Sequence, residues 1–422
     1  MEGIAKVQNI NLPRRKLVVA AAIGGLLKLL PSNAFAQIAS QGAGSQWDRA
    51  AAFDAAIDKI ISSQKIVGLT VVAAKSGHVV YERTAGFGDR EAKRVVGPNE
   101  IYRIASMTKA LVCVTGLSFI EKGKLSLEDP VSKWLPYFMP KTQDGKQPVI
   151  TIRHLMTHTA GLTYGFLEPE DGIYHKLGVS DGLDNGELTL EENLRRLASA
   201  PLLYEPGTSW GYSLAIDVLG GVIEQVAQAS LQDAVKTTIT DPLGLDSLKF
   251  SVPKGTVVAT AYADSQTPPV RMTDSFRFKF GKGAIVYSPS RAFNNKAFPS
   301  GGVGMVGTAR DYLKFVETIR MGGGRIITPK SAAAFTTNAL GDLPMSMGGP
   351  GFGWGLGVAV LKDPSAAGLR LGPGSWNWSG VYGTNFWVDP VAELSVVALT
   401  NTAIGGMAGS LPGDLRHAAY NG

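Results

Sequence analysis

Arg103-Ile104-Ala105-Ser106-Met107-Thr108-Lys109-Ala110-Leu111 is the stretch of this sequence that carries the most chemistry. Apolar residues continue from it at helical spacing through Val114, Leu117 and Ile120, and Gly123 is a plausible stop. A serine at a helix start lies beside unpaired backbone N–H groups. Lys109 follows one turn later on the same face, within reach of the serine oxygen. A hydroxyl needs a proton acceptor to become a nucleophile, and a lysine serves if its pKa is depressed. The plain alternative is that Ser106 only caps a helix. Ser-x-x-Lys alone is weak, because the chain contains it twice more. Ser62 and Lys65 end a helical pattern just before a strand, and Ser251 and Lys254 enclose Pro253, which disfavours a continuing helix. Only Ser106 and Lys109 open a long amphipathic pattern.

Upstream, Trp47–Ile61 has helical spacing (Ala51, Phe53, Ala56, Ile57, Ile60). Val67–Ala74 and Val79–Thr84 read as strands joined by a turn at Lys75-Ser76-Gly77. At the other end, Gly355–Leu361, Val381–Val388 and Leu394–Thr400 read as strands, and Asp414–Tyr420 as a closing helix. Both chain ends thus supply strands with a helix outside them, whereas the middle is richer in helical patterns and long loops. The economical architecture is α+β: one antiparallel sheet from both chain ends, flanked by helices, with a mostly helical insertion. The expected division is a sheet domain of 46–124 and 299–422, and an insertion of 125–298 carrying the cleft loops.

Downstream of the first motif, Pro206-Gly207-Thr208-Ser209-Trp210-Gly211-Tyr212-Ser213-Leu214-Ala215 precedes another helical pattern. Tyr212 at that boundary can aim its phenol into a cleft, where a tyrosinate beside a lysine cation is a competent base. A tyrosine before a helix is more often packing. The same stretch holds Gly207-Thr208-Ser209-Trp210-Gly211, a match to the Gly-x-Ser-x-Gly nucleophile elbow. That elbow needs a strand immediately before it, where Glu205-Pro206 reads as a loop. His417 is the only later histidine able to complete it. Trp376-Asn377-Trp378-Ser379-Gly380-Val381-Tyr382-Gly383 is expected to open a C-terminal strand, and the N–H groups of Val381 and Ser106 can together hold an oxyanion.

Composition narrows the classes. The 422 residues are 45% hydrophobic and 18% charged, which excludes a disordered chain. The 51 glycines are dispersed without a period of three, which excludes collagen. The net charge of +6 is concentrated at the start, where residues 1–36 hold Lys6, Arg14, Arg15, Lys16 and Lys28 against Glu2. The rest is nearly balanced and has no electrostatic footprint for nucleic acid. A lone Cys113 excludes an internal disulfide and a cysteine metal cage. Arg14-Arg15-Lys16, the apolar run Leu17–Leu30 and Ala34-Phe35-Ala36 form a basic, an apolar and a small-residue region in that order. This predicts an export signal at 1–36, cleaved after Ala36, then a flexible segment at 37–45. The twin arginines also fit a twin-arginine signal, although Pro13 stands where Ser or Thr is usual, so the route stays open. Export implies a periplasmic or secreted protein, with no stable membrane span once the signal is removed.

The ordered set Ser106-x-x-Lys109, Tyr212-Ser213 and Trp378-Ser379-Gly380 resembles the serine β-lactamase/penicillin-binding-protein superfamily. Ile152–Leu162 and Pro299–Met305 resemble its recurring segments, and the likeness runs from about Ala51 to Tyr420. Within it, Tyr212-Ser213-Leu214-Ala215 and Trp378–Gly383 are most similar to the bacterial family VIII carboxylesterases. The resemblance implies a β-lactamase/transpeptidase-like fold and an acyl-serine mechanism with no metal or organic cofactor. Ser106 is then the nucleophile, Lys109 and Tyr212 the base system, Ser106 and Val381 N–H the oxyanion hole, and Trp378, Ser379, Gly380 and Leu214 the substrate contacts. β-Lactamases usually carry Asn where Leu214 stands and Lys-Thr-Gly where Trp378-Ser379-Gly380 stands. Losing those polar partners favours a carboxylesterase for short-acyl or small neutral esters. A β-lactamase or D-amino-peptidase, an acyltransferase, and a non-catalytic penicillin-recognising protein stay open as alternatives. So do the oligomeric state and the choice of resting base.

Three weaker signals remain. His154 and His158 are four apart and can share a helical face, but Leu155 stands where His-Glu-x-x-His needs its Glu, which favours a structural role. Phe276, Phe278 and Phe280 alternate with Arg277 and Lys279 as in a strand. Tyr164–Asp184 reads as a long loop expected to wall the substrate cleft.

Overall fold

The computed structural model describes residues 47–421; the expected signal at 1–36 and the segment 37–45 lie outside them. Helix α1 (Ala50–Ser62) is followed by strands β1 (Gly68–Lys75), β2 (His78–Asp89) and β3 (Arg94–Val95). Helices α2 (Thr108–Glu121), α3 (Ala215–Ala227) and α4 (Ala309–Arg320) come next in the chain, with shorter elements between them. Strands β4 (Phe352–Trp354), β5 (Ala359–Leu361), β6 (Trp376–Gly380), β7 (Thr384–Asp389) and β8 (Leu394–Thr400), then helix α5 (Ser410–Asn421), complete the fold.

The main sheet runs β4-β5-β6-β7-β8-β1-β2-β3, and each neighbouring pair is antiparallel. The two chain ends meet at its centre, with Leu69 opposite Thr400 and Lys75 opposite Leu394. Alternate side chains of a strand point to opposite faces. Leu69, Val71 and Ala73 of β1, with Val396 and Ala398 of β8, pack under α1 and α5 through Phe53, Ile57, Leu411 and Leu415. Val72, Ala74, Val397 and Leu399 face the other core, against α2 and α4. Both sheet faces are therefore buried, which is why β1 and β8 are apolar almost throughout.

Four local readings need correction. The helix expected from Ser106 begins at Thr108, because Ala105–Met107 form a separate 3₁₀ turn with Ala105 at φ +44°. That helix is not amphipathic: every residue from Thr108 to Phe119 is buried, as expected for an element enclosed on all sides. Trp376–Gly380 is itself a strand, and Val381–Gly383 is a turn, so β7 starts only at Thr384. Gly383 sits at φ +96° with the Thr402 carbonyl where a Cβ would be, and its N–H bonds the Gly380 carbonyl at 2.9 Å. Of Gly355–Leu361, only Ala359–Leu361 is strand, because Gly357 turns at φ +124° against Cys113 Sγ.

The middle of the chain carries helices such as Ile152–Met156 and Leu190–Ala198 besides α3, and a hairpin of Phe276–Phe280 with Gly283–Tyr287 where the alternating phenylalanines fall. Among the described residues no helix is long and apolar enough to cross a membrane.

Candidate active site

The 3₁₀ turn holding Ser106 is clamped from three directions. Thr384 Oγ1 donates to the Ile104 carbonyl at 3.1 Å, Tyr312 donates to the Met107 carbonyl at 2.9 Å, and the Met305 N–H donates to Thr108 Oγ1 at 3.1 Å. These contacts hold Ala105 in a left-handed conformation that costs a non-glycine residue about 1–3 kcal/mol. Gly380, at the end of β6, lies so close that a Cβ there would meet the Ile104 carbonyl and come within 3.0 Å of the Ala105 side chain. The first residue past that strand, Val381, is thereby brought beside the serine turn. The Gly380 carbonyl is engaged by the Gly383 N–H, and in a trans peptide the Val381 N–H points the opposite way. The Val381 carbonyl is held by Tyr287 Oη at 2.9 Å.

Lys109 lies one helical turn from Ser106 and is fully buried. Its Nζ donates to Ser106 Oγ at 3.3 Å and to the Gly302 carbonyl at 2.8 Å, and stands 4.5 Å from the ring centre of Tyr212. Burial, opposed by the negative charge of Asp217, pushes the Lys109 pKa down to about 7. Tyr212 moves the other way: burial lifts it well above the ordinary phenol value, although interactions with Ser106 and Trp378 oppose this. Trp378 Nε1 donates to Tyr212 Oη at 3.1 Å. Burial thus moves the two members of the expected base system in opposite directions, Lys109 down and Tyr212 up.

The loop before α3 delivers Tyr212. Gly211 N–H bonds the His158 carbonyl at 2.9 Å, Leu214 N–H bonds the Thr163 carbonyl at 3.2 Å, and Ser213 Oγ contacts His158 Nδ1 at 3.2 Å. The His158 ring packs 4.9 Å from that of Tyr212. His154 instead receives the Thr151 N–H at Nδ1, closing a capping box. The short helix ends at Met156, so the two histidines do not share its face.

Rings cluster around Tyr212. Trp378 stands 5.2 Å from Tyr212 and 4.6 Å from Trp354, and Tyr164 lies between Tyr212, at 5.2 Å, and Phe166, stacked at 4.6 Å. Tyr164–Asp184 therefore begins against the site. Asp181 anchors it, accepting the N–H groups of Gly165 and Phe166 at 2.7 and 2.9 Å. Trp378 and Ser379 are half-buried, Gly380 is buried, and Leu214, expected among the substrate contacts, is fully buried in the core at the start of α3. Leu214 therefore does not line an open cleft.

The elbow-like Gly207–Gly211 forms no elbow. No strand precedes it, Ser209 lies on a loop, and the next helix starts at Ala215. His417 is exposed on α5, bonded to Asn421.

Sequence reasoning missed Asp217 and Ser300. Both are fully buried behind Lys109, with Ser300 Oγ donating to Asp217 Oδ1 at 2.6 Å. The signal was a lone acid within the apolar run Ala215-Ile216-Asp217-Val218-Leu219.

Comparison with known proteins gives the family and the fold. The family model described as Beta-lactamase matches residues 53–420. Esterase EstB of Burkholderia gladioli is 42% identical over 374 residues, covering 88% of this chain and 95% of that protein. Monacolin J acid methylbutanoyltransferase of Aspergillus terreus is 26% identical over 84% of this chain and 92% of its own. Among solved structures, EstCE1, described as a hydrolase with promiscuous acyltransferase activity, superposes with a TM-score of 0.84 at 42% identity, over 88% of this chain and 98% of that one.

Proposed function

This chain belongs to the β-lactamase family and has its fold, and on that premise we propose that it is a serine carboxylesterase acting on small neutral esters. The observation that carries the reading is a fully buried Lys109 amine, 3.3 Å from Ser106 Oγ, with an aromatic wall in place of cationic anchors. Ser106 Oγ attacks the ester carbonyl while Lys109 takes its proton. A neutral amine can direct an N–H at the Gly302 carbonyl and its lone pair at the serine hydroxyl. Tyr212, protonated and held by Trp378, passes a proton to the leaving alcohol. The N–H groups of Ser106 and Val381 bind the oxyanion. Water then cleaves the acyl-Ser106 ester through the same groups.

The 42% identity to Esterase EstB supports ester hydrolysis. Trp378 standing where β-lactamases carry a lysine supports a neutral substrate. Acyl transfer to an alcohol is a second reading, supported by the transferase among the relatives and by the aromatic side chains packed around Tyr212. Steady-state hydrolysis of p-nitrophenyl butyrate by residues 37–422, beside Ser106→Ala and a chromogenic cephalosporin, tests the assignment. Turnover lost in the variant, with little lactam opening, is expected. Turnover surviving Ser106→Ala, or fast lactam opening, overturns it. An added alcohol that diverts most of the acyl group marks the second reading.

The order of regions in residues 1–36 supports export. An exported protein beginning at Gln37 is expected, and a full-length protein retained in the cytoplasm contradicts it.

A further inference from the structure

Asp217 is a carboxylate with no access to water, in the first turn of α3 among the buried Ala215, Ile216, Val218 and Leu219. A buried carboxylate is costly unless its position is used or paired. One of its oxygens, Oδ1, accepts from Ser300 Oγ at 2.6 Å, and that same serine oxygen accepts the Val303 N–H at 3.2 Å. The Gly304 N–H closes the turn onto the Ser300 carbonyl at 2.9 Å. This turn presents the Gly302 carbonyl to Lys109. The other oxygen, Oδ2, has no hydrogen-bond partner, and neither does the buried hydroxyl of Tyr164. Both crowd Gly302: a Cβ there would meet Asp217 Oδ2 and lie 2.7 Å from Tyr164 Oη. A glycine is required at that position because the Asp217 carboxylate and Tyr164 approach so closely.

Resting on the proposed esterase mechanism, we propose that Asp217 is the positioning residue for Lys109, the fixed counter-charge to the ammonium formed when the amine takes the Ser106 proton. The proton transfer creates a cation in a water-free site. A carboxylate already in place stabilises that cation without reorganisation. Ser300 holds the carboxylate and ties it to the turn whose Gly302 carbonyl receives the Lys109 N–H. The groups facing this pair are Cys113 on α2, His158, Tyr164 and Asp181 on the loops, Tyr212 before α3 and Arg291 beyond the hairpin. Of these Arg291 is the other cation, bonded to the carbonyls of Asp184 and Phe298. Asp217 acts to raise the Lys109 pKa against burial; burial likewise raises the Asp217 pKa, opposed first by the Ser300 hydrogen bond and then by the Lys109 charge.

The test follows the rate of Ser106 phosphonylation by a fluorophosphonate between pH 5 and 9. In that step the Ser106 Oγ–P bond forms, the P–F bond breaks, fluoride leaves and Lys109 takes the proton. Asp217→Asn keeps the shape and removes the charge. Its acid limb is expected to move to lower pH by about one unit or more, with the plateau rate falling about tenfold or further. Ser300→Ala keeps the charge but weakens its support, so a smaller shift in the same direction is expected. It serves also if Asp217→Asn does not fold. An acid limb unmoved in whichever of these variants folds, whatever happens to the plateau, overturns the proposal, since a purely structural role lowers the rate without moving the limb. The esterase reading fails separately, if the wild type is phosphonylated at Ser106 yet does not turn over p-nitrophenyl butyrate.

Discussion

Ser62 ends helix α1 and Lys65 lies in the bend that follows, both exposed, whereas Ser106 and Lys109 stand at the same spacing in the interior. The letters are identical. What differs is solvent. Burial disfavours the charged form of an ammonium and lowers its pKa. The Lys109 amine, taken out of water by a helix buried on every side, gives its proton up near neutrality. Ser251 and Lys254 make the same point, because Lys254 is exposed on a loop. A nucleophile–base pair is therefore made by the surroundings that desolvate it, and the spacing only permits it.

The strongest way to break the comparison is to exchange the serines. Ser106→Ala is expected to cut ester turnover by roughly 10⁴-fold or more, while Ser62→Ala leaves it unchanged; p-nitrophenyl butyrate kinetics read both. Lys109→Arg follows, at roughly 10²–10⁴-fold, because a guanidinium does not deprotonate, while Lys65→Ala has no effect. In the wild type, kcat/KM is expected to rise about tenfold per pH unit below about 7 and to level off above it. The neutral amine is the active form, so protons inhibit. Tyr212→Phe removes the proton donor to the alcohol, with an expected loss of about 10- to 10³-fold, smaller for the good leaving group of a p-nitrophenyl ester than for an alkyl ester. Trp378→Phe has the smallest effect: it keeps an aromatic side chain, though a smaller one, and deletes one hydrogen bond to Tyr212, worth about 1 kcal/mol or roughly fivefold in rate.

Much of this was legible in the sequence. The β-rich, nearly continuous apolar runs of β1 and β8 marked strands supplied by both chain ends, and the order Ser106, Lys109, Tyr212, Trp378 marked residues that the fold brings together. What escaped depended on contacts distant in sequence. Thr108, not Ser106, begins the helix because β6 and β7 press on Ile104 and Ala105 from some 280 residues away. The turn at Val381–Gly383 forms because the Thr402 carbonyl occupies the side-chain space of Gly383. Leu214 marked a lost polar anchor, but its own side chain is spent on the core. Asp217 stood out only as an acid in an apolar run, and its meaning appears once Ser300 and Gly302 fold over it.

The account rests on desolvation of Lys109, and the most direct test is to watch that proton. NMR titration of protein labelled with ¹³C at the lysine ε-carbon, with the signal assigned by its loss in Lys109→Arg, isolates the group. The predicted result is a Lys109 signal that titrates near pH 7. A Lys109 signal still fully protonated at pH 9 would contradict the account.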